Sequence, residues 1–339
     1  MRCLAIGIIL LAGIWMSQTP AGADDTNRFS LLEENDSLYF NSDKHYTQGL
    51  RLSNLGPDIG GQSAWQGPFN LLSDIAPVFS QDNAKSSRRY SMLFGQSIFT
   101  PKNLTLKPPD PHDRPYGGWL YGGVSLLQET NERMLENFEV DLGVVGPGAL
   151  GKQVQNNFHQ LIGVGQAKGW SNQIQHEVGG MLSYERLWRL PLIGDGTDGL
   201  DVVPQVGATV GNVFTYGDAG GMIRIGKNLR ADYGPARIRP ALSGTDYFNS
   251  DLLDDNFGFY VFAGAQGRVV GRNIFLDGNS FRQSPQIRKK TLVADLQAGV
   301  SVFWSTALRM DVSAVRRTDE FVGQRAPDVI GTAALTFSW

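Results

Sequence analysis

The stretch Leu292-Val293-Ala294-Asp295-Leu296-Gln297-Ala298-Gly299-Val300-Ser301-Val302 alternates. Leu292, Ala294, Leu296, Ala298, Val300 and Val302 fall on one side of an extended chain, with Asp295, Gln297, Gly299 and Ser301 on the other, because successive strand side chains point to opposite faces. A helix would repeat its apolar residues every three or four positions instead. Outward from this stretch the same rhythm recurs. Leu308, Met310, Val312 and Ala314 oppose Arg309, Asp311 and Ser313, and Phe138, Val140, Leu142 and Val144 oppose Glu139, Asp141 and Gly143. Segments of about ten residues patterned in this way suit a membrane β-barrel with lipid outside and water within, or a soluble β-sandwich. Two features favour the barrel. Charged residues sit mid-strand on the polar faces, and the chain's 41 glycines recur inside strands, where small inward residues relieve crowding. The last alternating segment also closes on Phe337 and Trp339, which suits an interfacial aromatic girdle.

Twelve candidate strands follow, near residues 27–33, 46–55, 87–99, 117–129, 133–146, 173–190, 200–213, 218–228, 256–275, 288–303, 304–318 and 328–339. An even count is what a single-chain bacterial barrel requires. The fold class is therefore all-β, a twelve-stranded antiparallel transmembrane barrel with a short helix in an extracellular loop. Residues 1–23, with Arg2 ahead of an apolar run from Leu4 to Trp15 and Ala21-Gly22-Ala23 at the end, read as a secretory signal peptide. Residues 24–339 form one barrel domain. Cys3 is the only cysteine and lies in the signal, so disulfide and thiol chemistry are excluded from the exported chain. A formal charge of −3 without a basic run excludes the electrostatic footprint of a nucleic-acid binder.

Chemistry-bearing residues concentrate in Glu33–Leu50, which holds Asn35, Asp36, Asn41, Asp43, His45 and Thr47. Carboxylate, amide and hydroxyl oxygens suit a hard cation, while the same residue types also build polar hairpin loops. Residues 149–164 carry a helical pattern with Val154, Phe158, Leu161 and Ile162 apolar and Gln155 and His159 four apart on one face. Long barrel loops lie outside the cell, which puts this helix near the outer rim. The four histidines are His45, His112, His159 and His176. A lone helical histidine is more often structural than catalytic. No Gly-x-Ser-x-Gly, Ser-x-x-Lys or His-Glu-x-x-His is present, so His159 beside a metal is the one economical catalytic pair, with imidazole taking a proton from water. A barrel phospholipase and a non-catalytic pore remain as other readings. Asp113 and Arg114 read as a structural pair, and Trp119 and Trp170 as packing or interfacial residues.

The chain resembles the outer-membrane lipid A 3′-O-deacylase family. The resemblance rests on Glu34-Asn35-Asp36, Tyr46-Thr47-Gln48-Gly49-Leu50, Asp113-Arg114-Pro115-Tyr116 with Gly118-Trp119, and Gly143-Val144-Val145-Gly146-Pro147. It continues through Gly151-Lys152-Gln153-Val154-Gln155-Asn156 with His159, Gly169-Trp170 with Gln173, and Asp277-Gly278-Asn279-Ser280-Phe281-Arg282, in family order over nearly the whole mature chain. It implies a Gram-negative outer-membrane protein whose partners are membrane lipids and lipid A or lipopolysaccharide as substrate. It implies Ca2+-dependent hydrolysis of the 3′ acyloxyacyl ester, at a site between the barrel wall and the helical loop. By position, Asn35, Asp36 and Thr47 would form the metal and oxyanion site, His159 the base, Gln155 its neighbour, and Lys107 a site lysine. One departure stands out. Six residues after the histidine the family carries an acid, and here Gly165 stands, so Glu34, Glu177 or a water would have to substitute.

Overall fold

Each alternating segment becomes a strand paired antiparallel with its chain neighbours. The computed structural model describes residues 27–36, 44–59, 63–79, 86–240, 245–249, 252–304 and 307–338. The expected signal peptide, Asn41, Asp43 and Trp339 lie outside the described residues. The strands are β1 (Arg28–Asn35), β2 (His45–Leu55), β3 (Ser86–Thr100), β4 (Gly117–Thr130), β5 (Met134–Val145), β6 (Glu177–Trp188), β7 (Leu190–Gly194), β8 (Gly199–Gly211), β9 (Phe214–Lys227), β10 (Phe257–Asn273), β11 (Leu292–Trp304), β12 (Leu308–Arg317) and β13 (Asp328–Ser338). Arg189 alone separates β6 from β7, and both pair with β8. They act as one wall strand, so twelve strands make the wall. β1 closes the sheet on β13, with Arg28 opposite Ser338 and Asn35 opposite Gly331. Four strands start four residues away from the sequence reading: 173–190 starts at Glu177, 218–228 at Phe214, 288–303 at Leu292 and 304–318 at Leu308.

Closure sorts the side chains. Leu142, Leu182, Val210, Ile225, Val261 and Leu296 are exposed on the outer wall, while Glu139, Asp141, Arg224, Asp295 and Arg309 are buried on the inner one. Among the described residues no helix is long and apolar enough to cross a membrane; the strands cross instead. Inward glycines make room for rings. A Cβ on Gly95 would lie 2.4 Å from the Tyr121 ring.

Strand direction assigns the loops. Those following β1, β3, β5, β8, β10 and β12 lie at one end, here the upper, and the rest at the lower end. Helix α1 (Gln66–Ile75) and the segment between β9 and β10 are therefore lower-end features. That second segment runs back into the lumen. Arg239 pairs with Glu139 of β5 at 3.1 Å and Glu185 of β6 at 2.7 Å, and Asp246 with Arg51 of β2 at 2.6 Å. Tyr233 and Tyr247 donate to Glu129 of β4 at 2.8 and 2.6 Å. Arg268 of β10 and Arg317 of β12 both donate to the Pro240 carbonyl and both pair with Asp295. Arg237 reaches Glu34, near the top of β1. Contacts on strands all around the wall make this segment a plug.

The upper rim is tied by a second charge network. Arg114 pairs with Glu320 at 3.2 Å and lies over the Phe99 ring. His45 is held by Asp328 at 2.7 Å, with Asp113 3.4 Å from its other ring nitrogen. Asp113 and Arg114 are thus structural, but their side chains pair with other residues and not with each other. Burial alone would raise both loop carboxyls. For Glu320, Arg317 and Arg114 outweigh burial and hold it below the usual carboxylate range. For Asp113, the hydrogen bond from His45 and the backbone N–H groups of Lys102 and Arg114 do the same.

Two outcomes follow from these networks. Breaking a buried ion pair by removing one partner costs about 3–5 kcal/mol, so Asp295→Ala, which strands Arg268 and Arg317, should lower barrel stability by that order in urea titration in micelles. A loss below about 1 kcal/mol would mean that water reaches the pair. Carboxyls depressed in the folded state contribute stability that is present above their unfolded pKa of about 4 and is lost as pH falls through the folded value. Hydrogen exchange at residues 101–116 and 318–327, corrected for its intrinsic pH dependence, should therefore accelerate below about pH 4 while the wall strands stay protected. Unchanged rim protection at pH 3 would contradict this.

Candidate active site

Register places Asn35 on the outer surface of the wall. Glu34, beside Gly49 across the ladder, points inward to Arg237. Its neighbour Asn35 therefore points outward, opposite Gln48 of β2, which is opposite Ile98 of β3, which is opposite Gly118 of β4. This outward row covers three strand spacings, about 14 Å. The β2–β3 register slips between Tyr46 and Gln48, leaving Thr47 as the extra residue of a bulge, the device that re-aims a side chain in a sheet. Tyr46 joins the inner aromatic cluster with Phe99 and Trp119. The Thr47 hydroxyl lies 2.7 Å from that of Thr100. Asp36, buried at the top of β1, accepts the backbone N–H of Lys44.

Outward residues of a membrane barrel ordinarily meet lipid, yet Gln96, Ile98 and Thr100 are all buried. The segment after β5 covers Gln96 and Ile98. Gly146, at φ 85°, and Leu150, in the left-handed region, turn the chain at Pro147–Ala149 into helix α2 (Gly151–Ile162). Gln96 Nε2 donates to the Ala149 carbonyl at 2.6 Å. Gly118 admits the close approach, since a Cβ there would sit 3.0 Å from that of Ala149. Gly151, Gln155 and His159 form the buried stripe of α2, whereas Phe158, Leu161, Ile162 and Val164 beyond it are exposed. A helix in water turns its apolar stripe inward. This one is inverted, as suits a helix with protein on one side and lipid on the other.

The end of α2 sets the histidine. Val164 N–H bonds the His159 carbonyl at 2.8 Å and Gly163 N–H bonds Gln160, a Schellman stop with Gly163 at φ 74°. The reversed chain brings the Gly165 carbonyl 2.9 Å from His159 Nδ1. A carbonyl only accepts, so Nδ1 carries the proton and Nε2 the lone pair. Trp170 Nε1–H donates to Gln155 at 2.9 Å, and its ring packs on Tyr116 and against Gly151.

Of the residues singled out in the sequence, Asn35, Asp36 and Thr47 thus share the upper end of β1 and β2. Gln155 and His159 share the wall-facing stripe of α2, over β3 and β4. Lys107 stands apart, exposed in the adjoining loop at a cis Lys107–Pro108 bond. That loop meets the return from α2, with Lys168 N–H on the Leu104 carbonyl at 2.9 Å. His112 and His176 are exposed, and His45 belongs to the rim network. Trp119 and Trp170 are packing residues. Both acids offered in place of the one missing at Gly165 have other partners. Glu34 is in the lumen, and Glu177 is held by Asn212, Asn279 and Ser280. The sequence reading missed Glu33. It faces outward beside Asn35, hydrogen-bonded to Asn35 and Gln48. Its signal was its phase, because it falls on the same face as Phe29 and Leu31, where an acid is costly against lipid.

The oxygen set fits a hard cation. Asn35, Asp36 and Thr47 offer amide, carboxylate and hydroxyl donors at one end of one strand pair, and among the described residues no group of three or more His, Cys, Asp or Glu is arranged to hold a metal ion. With one carboxylate of its own, the set belongs to the weaker end of oxygen sites.

Comparison with known proteins agrees with this architecture. No curated protein sequence matches the chain. Among solved structures, LpxR from Salmonella typhimurium superposes with a TM-score of 0.69 at 20% identity, covering 91% of this chain and 99% of that one. The β domain of the Bordetella autotransporter BrkA gives a TM-score of 0.40 at 12% identity, covering 92% of this chain and 97% of that one. The family described as outer membrane protein LpxR matches residues 4–339. A closed twelve-strand wall, an outer-wall site under an inverted helix, and a family match over nearly the whole chain lead to one statement: the protein belongs to the LpxR family of outer-membrane proteins, which ties it to the remodelling of lipid A.

Proposed function

We propose that the protein is a lipid A 3′-O-deacylase that hydrolyses the ester carrying the 3′ acyloxyacyl chain. The observation that carries this reading is the inverted helix. Its polar stripe, Gln155 and His159, faces a barrel wall bearing Asn35 and Thr47, and its apolar stripe faces the lipid. A hydrolytic site on the outside of a barrel is reached sideways from the membrane, so its substrate is a lipid with a scissile bond near the headgroup.

In this reading Asn35, Asp36 and Thr47 would hold calcium, which would supply Lewis-acid polarisation of the ester carbonyl and charge stabilisation of its oxyanion. His159 takes a proton from water through Nε2 and returns it to the leaving alcohol, with Gly165 fixing the ring through Nδ1. Gln155 and Trp170 lock the helix phase. Lys107, on the exposed adjoining loop, meets substrate anions. The pore reading fits poorly with a lumen crossed by the Arg239, Arg51 and Asp232 networks.

His159→Ala should assemble normally, shown by heat-modifiable migration, because α2 lies on the wall and is no part of it. Release of fatty acid from purified lipid A should fall by the roughly 10²–10⁴-fold that general-base catalysis supplies. Asp36→Ala should be similarly damaging, and the double variant little worse, since groups acting as a unit are not additive. Chelation should abolish release, with calcium restoring it better than magnesium, which demands stricter geometry. Retention of most of the wild-type rate by His159→Ala would put the base elsewhere, and full activity in excess chelator would remove the cation.

A further inference from the structure

On the wall opposite to α2 there is a second feature that the chemistry above does not use. At the upper end of β10, β11 and β12 a cavity of about 740 Å³ opens on the outer surface. In the sheet order β13, β1 and β2 separate it from β3 and β4, which α2 overlies. Val269, Leu292, Ala294 and Pro327 line its lower part. Val269 and Leu292 are 57% and 71% exposed, and this floor runs on into the lipid-facing residues Leu296 and Val312.

Cations crown it. Lys290 and Arg325 line the cavity, and Arg268, also in the lining, is committed to Asp295. Asp319 is the one acid in the lining, and it pairs with Lys290 at 3.0 Å. The head of the cavity is braced by backbone bonds. Lys290 N–H donates to the Glu320 carbonyl at 2.7 Å and Val322 N–H to Arg288 at 2.9 Å, while Thr318 N–H donates to Ala294 at 2.9 Å. Glu320, in turn, is held by Arg114. The recess is therefore carried by the rim network rather than by a lone surface loop.

We propose that this recess binds a phosphorylated glycolipid of the outer leaflet, at a site separate from the catalytic one. An apolar floor continuous with the membrane-facing wall takes acyl chains. Basic residues at the headgroup level attract anionic lipid. Two cations on two separate loops, against one acid, match a broad headgroup with more than one phosphate better than a single phosphodiester. Lys290 exchanges Asp319 for a phosphate when the lipid enters.

The single cysteine makes a direct test practical. The full chain carrying Cys3→Ser and Val269→Cys, labelled with an environment-sensitive fluorophore and folded in micelles, is titrated with bis-phosphorylated lipid A, dephosphorylated lipid A, phosphatidylglycerol and phosphatidylethanolamine. We expect a saturable change with bis-phosphorylated lipid A. Affinity should be at least about tenfold weaker for the other three lipids, and also on adding Lys290→Glu with Arg325→Glu, given the contribution of each basic residue at an anionic surface. Fatty-acid release by the unlabelled charge-reversal variant should stay within about twofold of wild type, since neither residue lies on the α2-covered wall. If charge reversal impairs folding, the Lys290→Gln with Arg325→Gln pair answers the same question. Equal responses to all four lipids would reduce the recess to a greasy surface, and phosphatidylglycerol binding as tightly as lipid A would overturn the glycolipid assignment. Undiminished binding after charge reversal would remove the cations from it. The readout needs no turnover, so a chain that binds but does not hydrolyse would sink the deacylase reading and leave this one standing.

Discussion

Hydrocarbon offers no water to a bare N–H or C=O, so the first and last strands of this chain have to find each other. They do so along the whole of β1, from Arg28 against Ser338 to Asn35 against Gly331. Once the sheet is closed, every strand residue has one of two fates, lipid or lumen. The bore is narrow and the inward residues are long and charged, so the lumen cannot remain a simple water column. Arg51, Glu129, Glu139, Glu185, Arg268 and Arg317 need partners, and the segment between β9 and β10 brings them in the form of Arg239, Asp246, two tyrosine hydroxyls and the Pro240 carbonyl. Buried pairs of this kind add little net stability over an apolar core, but they are unforgiving of a missing partner.

The same two-fate rule makes the outer wall between β1 and β4 anomalous. Glu33, Asn35, Thr47, Gln96 and Thr100 bring polar groups to a surface that should be apolar. The segment after β5 resolves the conflict by covering Gln96 and Ile98, while its helix α2 turns Phe158, Leu161 and Ile162 outward. A polar layer between wall and helix, close to lipid yet shielded from it, is where an ester could meet an activated water and fixed oxygen ligands.

Much of this was legible in the chain. Period two in Leu292–Val302 and its counterparts announced strands, their number and the barrel, and Gln155 and His159 four apart on a helical pattern came out on one stripe of α2. Other points were misplaced for identifiable reasons. Glu34 looked like a neighbour of the site because it adjoins Asn35, but adjacent strand residues face opposite ways, and it is buried on Arg237. Glu33, two residues from Asn35 and on its face, was passed over. Asp113 and Arg114 looked paired because they are consecutive, whereas their partners lie in β2 and in the rim loop after β12.

The sequence by itself determined what a local period can encode: which residues alternate, where turns interrupt them, and that a helix-forming segment with His159 lies between β5 and β6. Backbone geometry translates these directly, since a strand repeats every two residues and a helix every 3.6. Only the tertiary structure decided which face of each element meets lipid, lumen or protein. The bulge at Thr47, the outside position of α2 and the Gly165 carbonyl on His159 depend on contacts between segments tens of residues apart, or on a chain reversal whose purpose shows only once α2 is docked. No period records such contacts, because they arise from closing the barrel and covering the polar groups that closure leaves outside.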